Sequence, residues 1–181
     1  MSITFVLGGA RSGKSAYAQA VTEAAAARRG RAPVLVATAE ALDEEMAARI
    51  AQHRRERGAG WRTLEAPLQL AAAIRELEAE EAACVDCLTL WLSNLMLSER
   101  DVEGATAELL DALAESRAEI VLVSNEVGMG LVPETPLGRA FRDEAGRLNR
   151  RVAERADNVL VMFAGLAVTL KGSPAHVSAA G

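Results

Sequence analysis

The residues from Gly8 to Ser15, GGARSGKS, have the types and spacing of a phosphate-binding loop. They fit the pattern Gly-x-x-x-x-Gly-Lys-Ser and follow a short apolar run. Glycine permits backbone conformations that point successive N–H groups inward, and the following helix adds the positive end of its dipole. We expect Lys14 to bridge the β- and γ-phosphates of a nucleoside triphosphate and the Ser15 hydroxyl to ligate Mg²⁺. The loop predicts triphosphate binding and leaves the reaction open.

Lysine is rare in this chain. Of 20 basic residues, only Lys14 and Lys171 are lysines. A compact ammonium fits between β- and γ-phosphates where a planar guanidinium does not. The lysine in the loop therefore indicates that phosphate binding requires an ammonium at this position.

A second ligand for the magnesium ion, a carboxylate, is expected at the end of a neighbouring strand. Asp86 stands where the apolar run before it gives out. An aspartate at a strand end is also common as a cap of the next helix. The sequence leaves both roles open for Asp86.

The stretch MAARIAQHRRERGAGW concentrates positive charge in an acidic chain. Arg49, His53 and Arg57 follow a four-residue step, and Arg54 lies beside the histidine. A solvated basic face is the ordinary interpretation of such a pattern. Nearby cations also favour a neutral imidazole, which suits a nucleophile toward phosphorus, and arginines stabilise phosphoryl oxygens. Both interpretations stand at this point.

A third polar region follows the predicted strand that ends at Ser124. In open parallel sheets ligands bind beyond the carboxyl ends of the strands, so Asn125 and Glu126 are expected to face the site. Arg142 and Asn149 lie seven residues apart and share a helix face.

Four further side chains have two interpretations each. Trp61 and Trp91 could stack on a base, although core packing is the more common role. Cys84 and Cys87 have C-x-x-C spacing, which could indicate redox chemistry or half of a zinc site, but no second ligand pair accompanies them. Positions three apart in a strand point to opposite faces, so we predict that both thiols are core residues that do not converge.

The elements that must position these residues alternate between strand and helix. Strands are predicted at Ile3–Leu7, Pro33–Thr38, Ala82–Cys87, Glu119–Ser124, Asn158–Ala164 and Ala167–Leu170, with a short extra strand at Arg62–Glu65. Helices are predicted at Lys14–Arg29, Ala41–Arg57, Pro67–Glu80, Leu90–Leu97, Glu103–Arg117 and Pro136–Ala156. This pattern predicts an α/β fold with a mainly parallel sheet and helices on both faces. We expect one domain over residues 1–172 and a disordered tail over 173–181.

Composition limits the class of protein. The chain has 181 residues, half of them hydrophobic, and a net charge of −5, which does not suggest a nucleic-acid binder. It has neither an apolar stretch near the roughly 18 residues of a membrane helix nor a signal-peptide pattern. We expect a soluble, cytoplasmic protein.

Taken together, four stretches resemble the bifunctional adenosylcobinamide kinase/adenosylcobinamide-phosphate guanylyltransferase family of cobalamin biosynthesis. They are LGGARSGKS, VATAEALDEEMAARIAQHRRERGAGWRTLEAP, VDCLTLWLSNL and VSNEVGMGLVPETPLGRAFRDEAGRLNRRVA, which cover most of residues 3 to 155. The resemblance implies a RecA-like P-loop NTPase fold and a homotrimer. It also implies two reactions: phosphorylation of the aminopropanol hydroxyl of adenosylcobinamide by ATP or GTP, then transfer of GMP from GTP through a histidine to give adenosylcobinamide-GDP and pyrophosphate.

The resemblance also implies which residues act. The family histidine, in a His-Arg-x-x-Arg stretch before a tryptophan, corresponds to His53, with Lys14 as the second catalytic residue. The implied nucleotide contacts are Gly8, Gly9, Ala10, Arg11, Ser12, Gly13, Lys14, Ser15, Ala37, Thr38, Ala39, Arg54, Arg55, Glu56, Arg57, Glu65 and Asp86. Ser15 and Asp86 would hold Mg²⁺.

Two other functions remain compatible with the residues alone. A P-loop small-molecule kinase without nucleotidyl transfer would use the loop and not need His53. A GTP-binding regulatory module would use the arginine-rich helix as a partner surface.

Overall fold

The computed structural model describes residues 2–40, 44, 51, 55 and 60–173. Among them, seven strands form one sheet in the order β3-β2-β4-β5-β1-β6-β7. All neighbouring strands are parallel except β6 and β7, which are antiparallel. The strands are β1 Ser2–Gly8, β2 Val34–Ala37, β3 Arg62–Glu65, β4 Ala82–Asp86, β5 Glu119–Asn125, β6 Asn158–Phe163 and β7 Leu166–Lys171. The predicted mainly parallel sheet and its short extra strand are confirmed.

Five helices with bounds in the described residues connect these strands. They are α1 Lys14–Arg28, α2 Leu70–Arg75, α3 Leu88–Leu97, α4 Val102–Glu115 and α5 Pro136–Arg155. The N-caps of α4 and α5 are Asp101 and Thr135, whose side chains accept hydrogen bonds from Gly104 N and Gly138 N. Such caps satisfy backbone donors that the first helical turn leaves open.

Alternation along the central strands divides the core between the two faces of the sheet. In β1, Phe5 belongs to one cluster and Val6 to the other. The buried helical side chains of the larger cluster come from α2 to α5, and that of the smaller cluster, Ala18, comes from α1. Helices therefore cover both faces, as predicted, and the central strands are buried on both sides, as parallel sheets require.

The predicted helix Pro67–Glu80 was too long. The observed helix, α2, covers Leu70–Arg75. The Glu81 carboxylate accepts a hydrogen bond from Glu78 N at 2.9 Å, which closes a turn between the helix and β4. A side chain that offers the backbone such a bond competes with helix continuation.

The two cysteines are both buried core residues, as predicted, but they do not point to opposite faces. Cys84 and Cys87 pack in the same cluster. The prediction assumed a strand through Cys87, whereas β4 ends at Asp86 and Cys87 is the N-cap of α3. Strand alternation no longer applies across that boundary.

Two predicted segments fall largely on residues outside the described ranges. Of the predicted helix Ala41–Arg57, Glu44, Ala51 and Arg55 are described, and all three are helical. Of the predicted tail, Ser173 is described, and its N–H donates to Asn158 Oδ1 at 3.0 Å. Across the described ranges, we find no helix with both the length and the apolar character needed to cross a membrane.

Candidate functional site

The loop from Gly8 to Ser15 leaves β1 at the carboxyl edge of the sheet and leads directly into α1. Gly8 has no room for a side chain, since a Cβ there would lie 2.6 Å from Ser12 Oγ and 2.7 Å from the backbone oxygen of Met162. Gly13 is the N-cap of α1 with φ of 94°, a left-handed conformation that favours glycine. Glycine is thus favoured at both motif positions, at Gly8 because a Cβ does not fit and at Gly13 because of the left-handed backbone conformation.

Lys14 is buried beneath this loop, with 7% of its surface exposed. Its Nζ donates to the carbonyl oxygen of Gly9 at 2.7 Å. Burial lowers the pKa of Lys14 from its ordinary value, and the negative charge of Asp86 opposes that shift. An ammonium has three donors, so a bond to Gly9 is compatible with further bonds to phosphate oxygens.

Three of the predicted contacts lie in one row across the sheet. Ala37, the last residue of β2, is paired with Glu65 of β3 on one side and with Asp86 of β4 on the other. Parallel strands present their carboxyl ends at the same edge, so the row lies at the edge where the loop begins.

Asp86 is not the cap of the next helix, because the N-cap of α3 is Cys87. Burial raises the pKa of Cys87 to about 11, with Asp86 adding to the shift. The Cys87 thiol is therefore neutral near pH 7 and is not poised as a nucleophile.

Thr38 is fully buried, and its hydroxyl is committed to Cys87. It donates to the Cys87 carbonyl oxygen and accepts from Cys87 N–H, both at 2.8 Å. The Asn94 side chain donates to the Thr38 carbonyl oxygen at 2.8 Å and to that of Pro67 at 3.0 Å. Asn94 thus fixes both ends of the segment between residues 38 and 67.

Sequence reasoning missed Asn94 and Thr89. The signal for Asn94 was a buried amide in the apolar helix LTLWLSNLML. Thr89 Oγ1 accepts from Asn125 N at 2.7 Å and lies 3.2 Å from Ser124 Oγ. Both residues connect α3 to strand ends at the carboxyl edge.

The end of β5 lies beside the loop, as expected. Asn125 is paired with Gly8, and Glu126 N donates to the Gly8 carbonyl oxygen at 3.1 Å. The Glu126 carboxylate accepts from Gly128 N at 2.6 Å, which fixes the start of the following loop.

The tryptophans differ in their environments. Trp91 is 1% exposed in the core and donates from Nε1 to the Leu68 carbonyl oxygen. Trp61 is half-buried and donates to Glu23 Oε1 at 3.0 Å. Trp91 is therefore a core residue.

The remaining predicted residues vary in exposure. Gly9, Ala10 and Arg11 are exposed, Ser12 is buried, and Ser15 and Ala39 are half-buried. Ser12 Oγ has no hydrogen-bond partner among the described residues. Arg55 is exposed and helical, whereas His53, Arg54, Glu56 and Arg57 lie outside the described residues.

The donor set suits magnesium. Within the described ranges there is no group of three or more histidine, cysteine, aspartate or glutamate residues that could hold a metal ion. Magnesium in nucleotide sites is held by one or two carboxylates or hydroxyls together with substrate phosphates and water. The carboxylate of Asp86 at the end of β4 and a half-buried serine at the loop end fit this pattern.

Comparison with known proteins gives consistent results. The family described as "Cobinamide kinase / cobinamide phosphate guanyltransferase" matches residues 4–170. The chain is 51% identical over 172 residues to the bifunctional adenosylcobalamin biosynthesis protein CobP of Pseudomonas aeruginosa, covering 93% of this chain and 97% of that protein. It is 40% identical over 184 residues to the bifunctional adenosylcobalamin biosynthesis protein CobU of Salmonella typhimurium, covering 92% of this chain and 98% of that protein.

Solved structures support the fold. The flagellar accessory protein FlaH of Methanocaldococcus jannaschii superposes with a TM-score of 0.52 at 14% identity, covering 94% of this chain and 78% of that one. The two chains thus share a fold, which here is a mostly parallel seven-stranded sheet covered by helices.

Proposed function

The chain belongs to the cobinamide kinase / cobinamide phosphate guanyltransferase family and has both activities, and we propose that both reactions use one nucleotide site built on residues 8–15. The observation that carries this proposal is Lys14, which is buried and whose ammonium is bonded to the Gly9 carbonyl oxygen of the loop. The family match favours this enzyme over a kinase without nucleotidyl transfer and over a regulatory GTP-binding module.

In the kinase reaction, the aminopropanol hydroxyl of adenosylcobinamide attacks the γ-phosphorus of ATP or GTP. The bond between the γ-phosphorus and the bridging oxygen breaks, the nucleoside diphosphate leaves, and the hydroxyl proton passes to water. Lys14 stabilises negative charge on the β- and γ-phosphates, while inward-pointing N–H groups of the loop orient them. The steric limit at Gly8 supports a backbone held in one conformation.

In the transfer reaction, a ring nitrogen of His53 attacks the α-phosphorus of GTP, and pyrophosphate leaves from the loop. A phosphate oxygen of adenosylcobinamide phosphate then attacks the same phosphorus. The P–N bond breaks, adenosylcobinamide-GDP forms, and the histidine is regenerated. Arg54 and Arg57 would stabilise the phosphoryl oxygens during both steps.

We further propose that Ser15 and Asp86 hold Mg²⁺ with the nucleotide. The ion supplies charge neutralisation at the phosphates when bound. The position of Asp86 at the carboxyl end of β4, and of Ser15 in the first turn of α1, supports these two ligands.

The other proposed nucleotide contacts from β2 and β3 lie at the carboxyl edge of the sheet, but Thr38 is bonded elsewhere. Glu65 and the backbone of Ala37 lie in the row with Asp86, and Ala39 follows β2 at that edge. Because the Thr38 hydroxyl is bonded to Cys87, we propose that Thr38 acts on the nucleotide by positioning the start of α3. We propose that the enzyme works in the cytoplasm as a homotrimer.

The covalent step is tested by incubating the protein with α-³²P-GTP and Mg²⁺, without a corrinoid. Wild type is expected to acquire an acid-labile, alkali-stable label, as phosphoramidates do. His53→Asn should acquire none while still transferring γ-phosphate to adenosylcobinamide, because the loop is unchanged.

Equal labelling of wild type and His53→Asn would refute the proposed role of His53. Absence of any label in active wild type would refute a covalent mechanism.

A further inference from the structure

The helix α5 extends past the carboxyl edge of the sheet. Asn149 Nδ2 donates to the carbonyl oxygen of Asn125, the last residue of β5, at 3.1 Å. The helix begins at Pro136, so residues 136–148 rise about 20 Å beyond that level at 1.5 Å per residue. This part of α5 stands over the edge where the phosphate loop begins.

Arg142 lies in that extension, on the helix face that Asn149 also occupies. It precedes Asn149 by seven residues, or two turns, so it shares the helix face that meets Asn125 and lies about 10 Å above it. Asn125 is paired directly with Gly8, the first residue of the loop. Arg142 is the least exposed arginine of this group, at 25%, compared with 63% for Arg147 and 75% for Arg150.

A shallow groove of about 540 Å³, open to solvent, lies between this helix and the loop after β5. Its lining has three arginines, two glycines and one aspartate: Gly128, Arg142, Asp143, Gly146, Arg147 and Arg150. Arg142, Gly146 and Arg150 follow a four-residue step along one stripe. A Cβ at Gly146 would meet nothing within 4 Å, so the missing side chain leaves open space between the two arginines.

The carboxylates near these arginines only partly balance them. Asp143 is 3.7 Å from Arg142, and Glu154 is 3.7 Å from Arg150. Glu144 pairs with Arg147. These carboxylates are partly or largely exposed, and ion pairs at such sites contribute little, so the arginines remain able to bind an anion. Guanidinium groups bind phosphate through two parallel hydrogen bonds.

We infer that this cavity, which we call the arginine groove, binds the phosphate group of the corrinoid acceptor. The inference rests on the proposed function, in which a phosphate oxygen of adenosylcobinamide phosphate must approach a phosphorus atom near the loop. The groove begins at Gly128, which is fixed by Glu126, and Glu126 is itself hydrogen-bonded to Gly8. The acceptor phosphate would thus be held beside the nucleotide and apart from Lys14.

The rim of the groove suits a ligand larger than phosphate. The loop continues from Gly128 to Met129, Leu131 and Val132, which are 79%, 96% and 64% exposed. The corrin macrocycle would lie against these apolar side chains while its phosphate enters the groove.

The test uses Arg142→Ala and Gly146→Leu, with Arg155→Ala as the matched control. Arg155 is an exposed arginine of the same helix that does not line the groove. Gly146→Leu fills the groove with a better helix former, so it keeps the fold. Each variant is measured for KM toward adenosylcobinamide phosphate, KM toward GTP, and labelling by α-³²P-GTP without acceptor.

Arg142→Ala and Gly146→Leu are expected to raise the KM for adenosylcobinamide phosphate at least tenfold. Labelling and the KM for GTP should stay within twofold of wild type, and Arg142→Lys should recover part of the loss. Arg155→Ala should match wild type throughout.

Three results would overturn the inference. An unchanged acceptor KM in both groove variants would exclude the groove as the acceptor site. A raised KM for GTP or slower labelling, with the acceptor KM unchanged, would assign it to nucleotide phosphates. A change in sedimentation with an unchanged acceptor KM would assign it to a subunit contact. If wild type itself is not labelled, the proposed covalent mechanism fails, independently of the groove.

Discussion

Two features limit which side chain can replace Lys14, namely its burial and the bond of its ammonium to the loop. It is 7% exposed, and its Nζ is 2.7 Å from the Gly9 carbonyl oxygen, so its position leaves little room for a larger head group. The rarity of lysine in the chain pointed to this residue, but the sequence did not reveal the bond to Gly9. That bond depends on the fold of the loop, which a motif alone does not specify.

Lys14→Arg is expected to keep the charge and lose the function. A planar guanidinium does not fit the space of a compact ammonium, so nucleotide affinity should fall at least tenfold, about 1.4 kcal/mol. Isothermal titration with a non-hydrolysable GTP analogue measures the loss. Wild-type affinity in Lys14→Arg would show that only the charge matters.

Gly8→Ala and Gly9→Ala are a matched pair of substitutions whose free energies of unfolding can be compared. Gly8→Ala would place a Cβ 2.7 Å from the Met162 carbonyl oxygen, whereas a Cβ at Gly9 meets nothing within 4 Å. We expect Gly8→Ala to lower the free energy of unfolding by about 1–3 kcal/mol, as overpacking does. Gly9→Ala should change it by less than about 0.5 kcal/mol.

Urea unfolding of the two variants measures this difference. Equal stability of Gly8→Ala and Gly9→Ala would contradict the steric reason given for the first glycine of the motif.

Among the elements, β7 is attached to α5 by one side chain. Lys171 Nζ donates to the carbonyl oxygens of Ala153, Glu154 and Ala156 at 3.2, 3.0 and 2.6 Å. The last turn of a helix leaves such oxygens without intrahelical partners. A cation there also interacts favourably with the negative end of the helix dipole. Both lysines of the chain thus donate hydrogen bonds to backbone carbonyl oxygens.

Lys171→Ala is expected to lower the free energy of unfolding by about 1–2 kcal/mol through the lost carbonyl contacts. Arg100→Ala is the control, since Arg100 is exposed and its side chain has no hydrogen bond among the described residues. Thermal unfolding compares the two. A loss in Arg100→Ala as large as in Lys171→Ala would indicate a general effect of charge.

Most strands and helices could be predicted because their patterns are local. The apolar runs identified β1 and β5 within one residue at each end. The shortened α2 could not be predicted, because the turn that follows it uses Glu81, a residue of the next segment. The shared cluster of the cysteines could not be predicted either, since it depends on where β4 gives way to α3.

The site was predictable to the extent that its residues lie in motifs. The register brings Ala37, Glu65 and Asp86 into one row, although they are far apart in sequence. Asn94 was missed because its partners, Thr38 and Pro67, come together only in the folded sheet. The position of His53 relative to the loop lies outside the described residues.

For the whole molecule, exposed apolar side chains occur at the antiparallel edge of the sheet. Leu166, Val168 and Leu170 are 71%, 47% and 63% exposed and share one face of β7 by alternation. Phe163, paired with Leu166, is 54% exposed. An apolar patch at a sheet edge is typical of a contact between chains, and it supports the proposed homotrimer.

Sedimentation equilibrium is expected to give the mass of three chains of 19.1 kDa. Val168→Asp should shift the protein toward monomer, because a charge in an apolar contact is costly. Thr169→Asp, on the opposite face of β7, should leave the assembly intact. A monomeric wild type would contradict the trimer, and equal behaviour of the two variants would place the contact elsewhere.

The central claim is that GMP passes through His53 on its way to the corrinoid. It is tested most directly by isolating the α-³²P-labelled protein, removing free nucleotide, and adding adenosylcobinamide phosphate. We predict that the label leaves the protein at least as fast as turnover and appears in adenosylcobinamide-GDP. Label that stays on the protein, or that is released only as GMP, would contradict the claim.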